Sequence, residues 1–129
     1  MEAEILVVDD SAAIRKILQR VLRQTGMAIG TIMEAGDGEE ALVMLSTHKV
    51  HLVLTDINMP KMDGLQFLGK VKANAEWSDI PVVMITTEGG ETKVAEAVRL
   101  GAAGYVRKPF TADQIKEKLA GLLEPTSPI

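Results

Sequence analysis

Five short apolar runs recur along the chain: Ile5 to Val8, Thr31 to Met33, Leu52 to Leu54, Val82 to Ile85, and Tyr105 to Val106. They are continuous rather than alternating and rich in β-branched residues, as a strand covered on both faces requires. The segments between them carry a helical period. Ile14, Ile17, Leu18, Val21 and Leu22 follow the i, i+3, i+4, i+7, i+8 spacing, with Ser11 as N-cap. Ala41, Leu42 and Leu45 form a second stripe, and Leu65, Leu68 and Val71 a third. Val94, Ala97 and Val98 form a fourth, closed by Gly101; Ile115, Leu119, Leu122 and Leu123 form a fifth, capped by Thr111. The segment Pro125 to Ile129 has no pattern and reads as a frayed tail, which leaves residues 1–124 as one domain.

Strand and helix thus alternate five times, which predicts an α/β domain with right-handed crossovers: a doubly wound, five-stranded parallel sheet with helices on both faces. In such sheets ligands bind beyond the carboxyl ends of the strands, near the point where strand order reverses. The first strand runs into Asp9-Asp10, the third into Asp56, the fourth into Thr86-Thr87 and the fifth into Lys108-Pro109. Carboxylates crowded at one edge repel one another and raise each other's pKa unless a cation screens them. Oxygen ligands without nitrogen or sulfur point to Mg2+, which takes one or two carboxylates directly and keeps several waters. With Lys108 and the Thr86 hydroxyl beside it, such a site suits a phosphoryl group. Cation and ammonium neutralise the equatorial oxygens while a carboxylate attacks in line to form an acyl phosphate. Asp56, from a central strand, is the expected nucleophile; Asp9 and Asp10 are the expected metal ligands.

Composition removes most other chemistries. A chain of 129 residues without cysteine has no disulfide, thiolate zinc site or cysteine nucleophile. His48 and His51 read as surface or helix-end residues. A net charge of -4 with no basic run argues against nucleic acid, and the scattered aromatics Phe67, Trp77, Tyr105 and Phe110 make no stacking platform. The opening Met1-Glu2-Ala3-Glu4 lacks the basic-then-apolar pattern of a secretory signal, and no apolar run approaches the roughly 18 residues of a membrane span. A cytoplasmic protein that binds no membrane is expected. Trp77, just before the fourth strand and remote from the polar edge, reads as scaffold, and Met27, Met33, Met44 and Met84 as core filler.

The runs Leu6-Val7-Val8-Asp9-Asp10-Ser11, Asp56-Ile57-Asn58-Met59-Pro60-Lys61-Met62-Asp63-Gly64, Thr86-Thr87 and Gly104-Tyr105-Val106-Arg107-Lys108-Pro109-Phe110 together resemble response-regulator receiver domains over nearly the whole chain. The resemblance implies a flavodoxin-like (βα)5 fold with strand order 2-1-3-4-5. It implies that Asp56 takes a phosphoryl group from a sensor histidine kinase or a small phosphodonor. Asp10 and Asp56 bind Mg2+ directly together with the backbone carbonyl of Asn58, Asp9 acts through a water, and Lys108 pairs with the phosphoryl group. Family members hold the bond before Pro109 in cis. Pro60 and Gly64 shape the loop after the acceptor, a role that ordinary turn chemistry also serves.

The same resemblance makes Thr86 and Tyr105 a switch pair. Thr86 swings toward the phosphoryl oxygens and the tyrosine ring turns into the space it leaves. Partner binding is then expected on the face made by the fourth helix, fifth strand and fifth helix, as a shift in a pre-existing equilibrium. Asn58 and Glu88, two residues past Asp56 and Thr86 respectively, rim the site and can orient a water for attack on the acyl phosphate. This pair resembles single-domain, rapidly reset chemotaxis regulators, with the flagellar motor switch as target and a monomer as the working form. An alternative within the family is a phosphorelay intermediate.

Two other classes compete. An aspartyl-phosphate phosphatase needs an acid near the nucleophile, and Asn58 cannot protonate a leaving group. The protein is therefore not expected to be an enzyme beyond its own phosphorylation and dephosphorylation. A flavin or nucleotide carrier needs backbone amides in a Gly, Ser or Thr loop after the first strand, where Asp9-Asp10 would repel a phosphate.

Overall fold

β-Branched and leucine-rich runs pair into a sheet because every backbone N–H and C=O must find a partner once its side chains are buried on both faces. The structure, a computed structural model, describes residues 2–86 and 91–123. Five strands, β1 (Ala3–Val8), β2 (Ile29–Ala35), β3 (Leu52–Asp56), β4 (Val82–Thr86) and β5 (Gly104–Arg107), form one parallel sheet in the order β2-β1-β3-β4-β5. They alternate with α1 (Ala12–Gln24), α2 (Gly38–Thr47), α3 (Gly64–Ala73), α4 (Glu91–Leu100) and α5 (Ala112–Leu123). This is the architecture that the alternation predicts. Thr87, Glu88 and the segment from Pro125 to Ile129 lie outside the described residues.

The period of two along each strand sorts its side chains between two cores. Leu6, Val8, Val53, Val82 and Met84 face Ala41, Leu45, Phe67, Leu68, Val71 and Ala97 of α2, α3 and α4. Ile5, Val7, Leu52, Leu54, Val83, Ile85 and Val106 face Leu18, Leu22, Ile115 and Leu119 of α1 and α5. Trp77 packs partly buried against the first core, and Met27, Met33, Met44 and Met84 lie in or against the two cores. Those residues are scaffold and filler as expected.

The differences in detail have local causes. β2 is longer at both ends than the Thr31 to Met33 run, because its edge position lets polar Thr31 and Glu34 stand exposed between buried Ile29, Met33 and Ala35. Two members of the helical stripes face outward: Ile17 is 42% and Val98 56% exposed. A sheet-facing stripe on a short helix is narrower than the full set of apolar positions.

The predicted helix caps form. Ser11 Oγ accepts from the Ile14 N–H, and Thr111 Oγ1 accepts from the Gln114 N–H at 3.1 Å while the Gln114 side chain accepts from the Thr111 N–H at 2.9 Å. Gly101 ends α4 at φ 108°, a conformation that favours glycine. His48 ends α2 and is exposed, and His51 Nδ1 accepts the Glu4 N–H at 2.9 Å. His48 is thus the surface, helix-end residue expected, while His51 holds the start of β1.

Candidate functional site

Parallel register brings the acidic residues together. Val8 of β1 stands opposite Thr55 of β3, so Asp9 and Asp56, each one residue further on, leave the same edge side by side. Thr86 of β4 pairs with Arg107 of β5, and the Lys108 N–H then donates to the Thr86 carbonyl at 2.6 Å, which carries Lys108 to the same edge. Because β1 and β3 are neighbours while β2 lies on the far side of β1, the cluster sits where strand order reverses.

One carboxylate oxygen from each of Asp9, Asp10 and Asp56 lies within 4.8 Å of the others. Asp9 is 1% exposed, Asp56 partly buried and Asp10 exposed. The ammonium of Lys108, with its side chain 16% exposed, lies 3.2 Å from Asp9 Oδ2 and 3.7 Å from Asp56 Oδ2. Asp9 Oδ1 accepts from the Ser11 N–H at 2.9 Å, and Asp56 Oδ1 from the Ile57 N–H at 2.7 Å. Among the described residues this is the cluster of oxygen donors able to hold a metal ion. In an octahedron with ligands about 2.1 Å from Mg2+, neighbouring oxygens stand about 3 Å apart and opposite ones about 4 Å. Three carboxylate oxygens within 4.8 Å of one another are near enough to share one such ion, and the all-oxygen donor set is the one that hard cations prefer.

The remaining predicted residues arrange around this cluster. Thr86 is buried at the end of β4. Tyr105 is 39% exposed on β5, with the Lys118 ammonium 5.6 Å from its ring centroid. The side chain of Asn58 is exposed, and its Oδ1 accepts from Lys93 Nζ of α4 at 2.7 Å. The Lys108–Pro109 bond is cis. The segment after β3 folds back tightly, with the Gly64 N–H donating to the Ile57 carbonyl at 2.8 Å and the Gly38 N–H of α2 to the Met62 carbonyl at 3.1 Å. Lys61 takes φ 65° in that turn, a left-handed conformation that a side chain adopts only when its surroundings hold it; its ammonium lies 3.9 Å from Asp37 Oδ2.

Three partners of the site are not legible as such in the sequence. Arg15 of α1 donates to the Asp9 carbonyl at 2.5 Å and to Glu34 Oε1 of β2 at 2.7 Å. Lys93 reaches Asn58 across 35 positions of chain. Only Arg15 leaves a trace in the sequence, a cation in the first turns of the helix that follows Asp9-Asp10.

Burial pushes the Asp56 carboxyl above the ordinary carboxylate range; Lys108 pulls it back, Asp9 pushes it further up, and the N–H groups of Ile57 and Asn58 oppose the rise. A carboxyl whose pKa is higher in the folded than in the unfolded chain destabilises the fold at pH above both values. The penalty fades as pH falls through the folded pKa and is gone below the unfolded one, near 4. In metal-free buffer near neutral pH, Asp56→Asn is therefore expected to melt at a higher temperature than the wild type. The gap should shrink on acidification; thermal melts in a chelator at several pH values check both.

A doubly wound α/β sheet with an acidic cluster and a lysine at its switch point defines the class of α/β domains able to hold a hard cation at that edge. Comparison makes the class specific. Residues 5–120 match the model of the response regulator receiver domain, and the chain belongs to that family. It is 40% identical over 121 residues to a chemotaxis protein CheY homolog of Campylobacter jejuni, covering 93% of this chain and 92% of that protein. It is likewise 40% identical to chemotaxis protein CheY1 of Helicobacter pylori, covering 93% of this chain and 96% of the other. The solved structure of chemotaxis response regulator CheY4 of Vibrio cholerae superimposes with a TM-score of 0.83 at 32% identity, over 95% of this chain and all of that one.

Proposed function

We propose that this chain is a stand-alone response regulator that takes a phosphoryl group onto Asp56 with Mg2+ and thereby switches the binding of a protein partner. The observation that carries this reading is the convergence of Asp9, Asp10, Asp56 and Lys108, from three strand ends, on one edge of the sheet. Asp9, Asp10 and Asp56, with the backbone carbonyl of Asn58, are the residues that would hold the cation. When bound, Mg2+ supplies positive charge to the phosphoryl oxygens and offsets the repulsion among the carboxylates. Asp56 Oδ attacks phosphorus as the bond to the donor's leaving group breaks: an imidazole nitrogen of a phosphohistidine, which takes up a proton, or the carboxylate oxygen of acetyl phosphate. The product is a mixed anhydride on Asp56. Lys108, freed from Asp56 by its neutralisation, follows the charge onto the phosphoryl oxygens, and Thr86 donates its hydroxyl to one of them.

The result is read on the face of α4, β5 and α5, where Thr86 and Tyr105 connect the site to the surface. The names of the relatives support a chemotaxis role; in this reading a histidine kinase acts upstream and the flagellar motor switch is the target. Cytoplasmic localisation fits that role, and no helix among the described residues is long and apolar enough to cross a membrane. No enzymatic turnover on external substrates is part of this reading. Incubation with acetyl phosphate and Mg2+, followed by intact-mass measurement, tests it: a gain of one phosphoryl group that disappears in chelator is expected, and no gain rejects the assignment. Pull-down with and without a phosphoryl mimic then separates a motor-switch partner from a histidine phosphotransfer protein, the partner of a relay intermediate.

Asn58, with Glu88, sets the lifetime of the phosphorylated form by orienting the attacking water. Asn58→Ala is expected to slow loss of phosphate several-fold, less than the roughly 10²-fold that a proton-transferring group contributes, because an amide orients the water without taking its proton. Decay followed by mass after removal of the donor checks this, and an unchanged rate takes Asn58 out of the hydrolytic step.

A further inference from the structure

We infer that Arg15 is a positioning residue for the acidic turn: without touching the cation or the phosphoryl group, it sets where Asp10 stands relative to Asp56. This rests on reading the cluster as a Mg2+ and phosphoryl site.

Asp9 is held through each of its polar groups. Its N–H donates to the Ala35 carbonyl at 3.1 Å, its carbonyl accepts from Arg15 Nη1 at 2.5 Å, Oδ1 accepts from the Ser11 N–H and Oδ2 pairs with Lys108. Asp10 differs. It is exposed, and among the described residues its carboxylate has no hydrogen-bond partner, so its direction depends on the peptide that precedes it. The Asp9 carbonyl belongs to that peptide, and fixing its oxygen fixes the whole plane and the point from which the Asp10 side chain departs.

The guanidinium is itself braced. While Nη1 holds the Asp9 carbonyl, Nε donates to Glu34 Oε1 on β2 at 2.7 Å, so one planar group ties the acidic turn to the edge strand. The Glu34 carboxyl is held below its ordinary range by the hydrogen bonds from Arg15 and then Gln19, which keeps this anchor charged. Arginine alone suits the task. Its fork serves two acceptors in fixed directions, whereas a lysine ammonium is a single point charge that cannot span both.

Position and charge make opposite forecasts. If Arg15 acted on the site only by its positive charge, deleting it would strengthen cation binding, and lysine in its place would change nothing. If it acts by holding the Asp9–Asp10 peptide, both Arg15→Lys and Arg15→Ala weaken binding. Isothermal titration calorimetry of Mg2+ into the full chain, with urea unfolding in chelator alongside, separates the two. The dissociation constant is expected to rise about tenfold in both variants, the lower end of what groups orienting metal ligands contribute. Arg15→Lys, which keeps the charge, decides alone if Arg15→Ala does not fold. Wild-type affinity in Arg15→Lys, or tighter binding in Arg15→Ala, overturns the inference even where urea stability falls. A wild type that binds no Mg2+ overturns instead the reading of the site on which it rests.

Discussion

Asp56→Asn is expected to gain no phosphoryl group from acetyl phosphate and Mg2+ under conditions in which the wild type is modified. The reaction needs an oxygen with a lone pair and negative charge aimed from the centre of the cluster, and a carboxamide oxygen is a far weaker nucleophile. The substitution keeps size and planarity, and the neutral side chain removes rather than adds a buried charge, so the fold survives it. Asp9, Asp10 and Lys108 remain in place, which makes the variant a stringent control. Of the other acids, Asp9 is 1% exposed and already shared between Lys108 and the Ser11 N–H, and Asp10 stands exposed outside the ammonium's reach. Intact-mass measurement of both proteins after the same incubation decides the matter. A phosphoryl group on the variant moves the acceptor away from Asp56.

Gly64→Ala is expected to destabilise the domain and disturb the acceptor together. A Cβ at Gly64 meets the carbonyl oxygen of Asp56 and comes within 2.9 Å of the Ile57 Cα, both backbone atoms of the segment that carries the Asp56 side chain. No side-chain rotation relieves this contact, so β3 and the start of α3 must part. The cost belongs at the upper end of overpacking effects, about 3 kcal/mol. Gly69→Ala is the internal comparison: it lies in the same helix with nothing within 4 Å of the added carbon, and is expected to be neutral or to stabilise by up to about 1 kcal/mol. Urea unfolding reads the stabilities, and Mg2+ titration reads the displacement of Asp56. Equal midpoints for Gly64→Ala and wild type would show that the loop yields without cost.

Much of this molecule is legible from its residues. Continuous apolar runs such as Leu52 to Leu54 mark strands buried on both sides, and the stripe of Leu18, Val21 and Leu22 marks a helix with one covered face. These patterns are properties of single segments. The site was legible for a related reason. In a doubly wound sheet the residue after each strand lies on one edge, so Asp9, Asp10, Asp56, Thr86 and Lys108 declare their neighbourhood by their place in the alternation. The outward turn of Ile17 and Val98 was not legible, because helical period marks an apolar face without stating how much of it the sheet covers.

Sequence by itself therefore determined the order and kind of the elements and the edge on which polar groups gather. Each follows from local periodicity and from the handedness of parallel crossovers. Tertiary structure alone decided which partners hold the groups in place: the Arg15 fork between Asp9 and Glu34, the Lys93 contact with Asn58, and the backbone approach that requires glycine at position 64. Such contacts join separate elements at distances set by the packing of helices on the sheet. No periodicity within one segment records them.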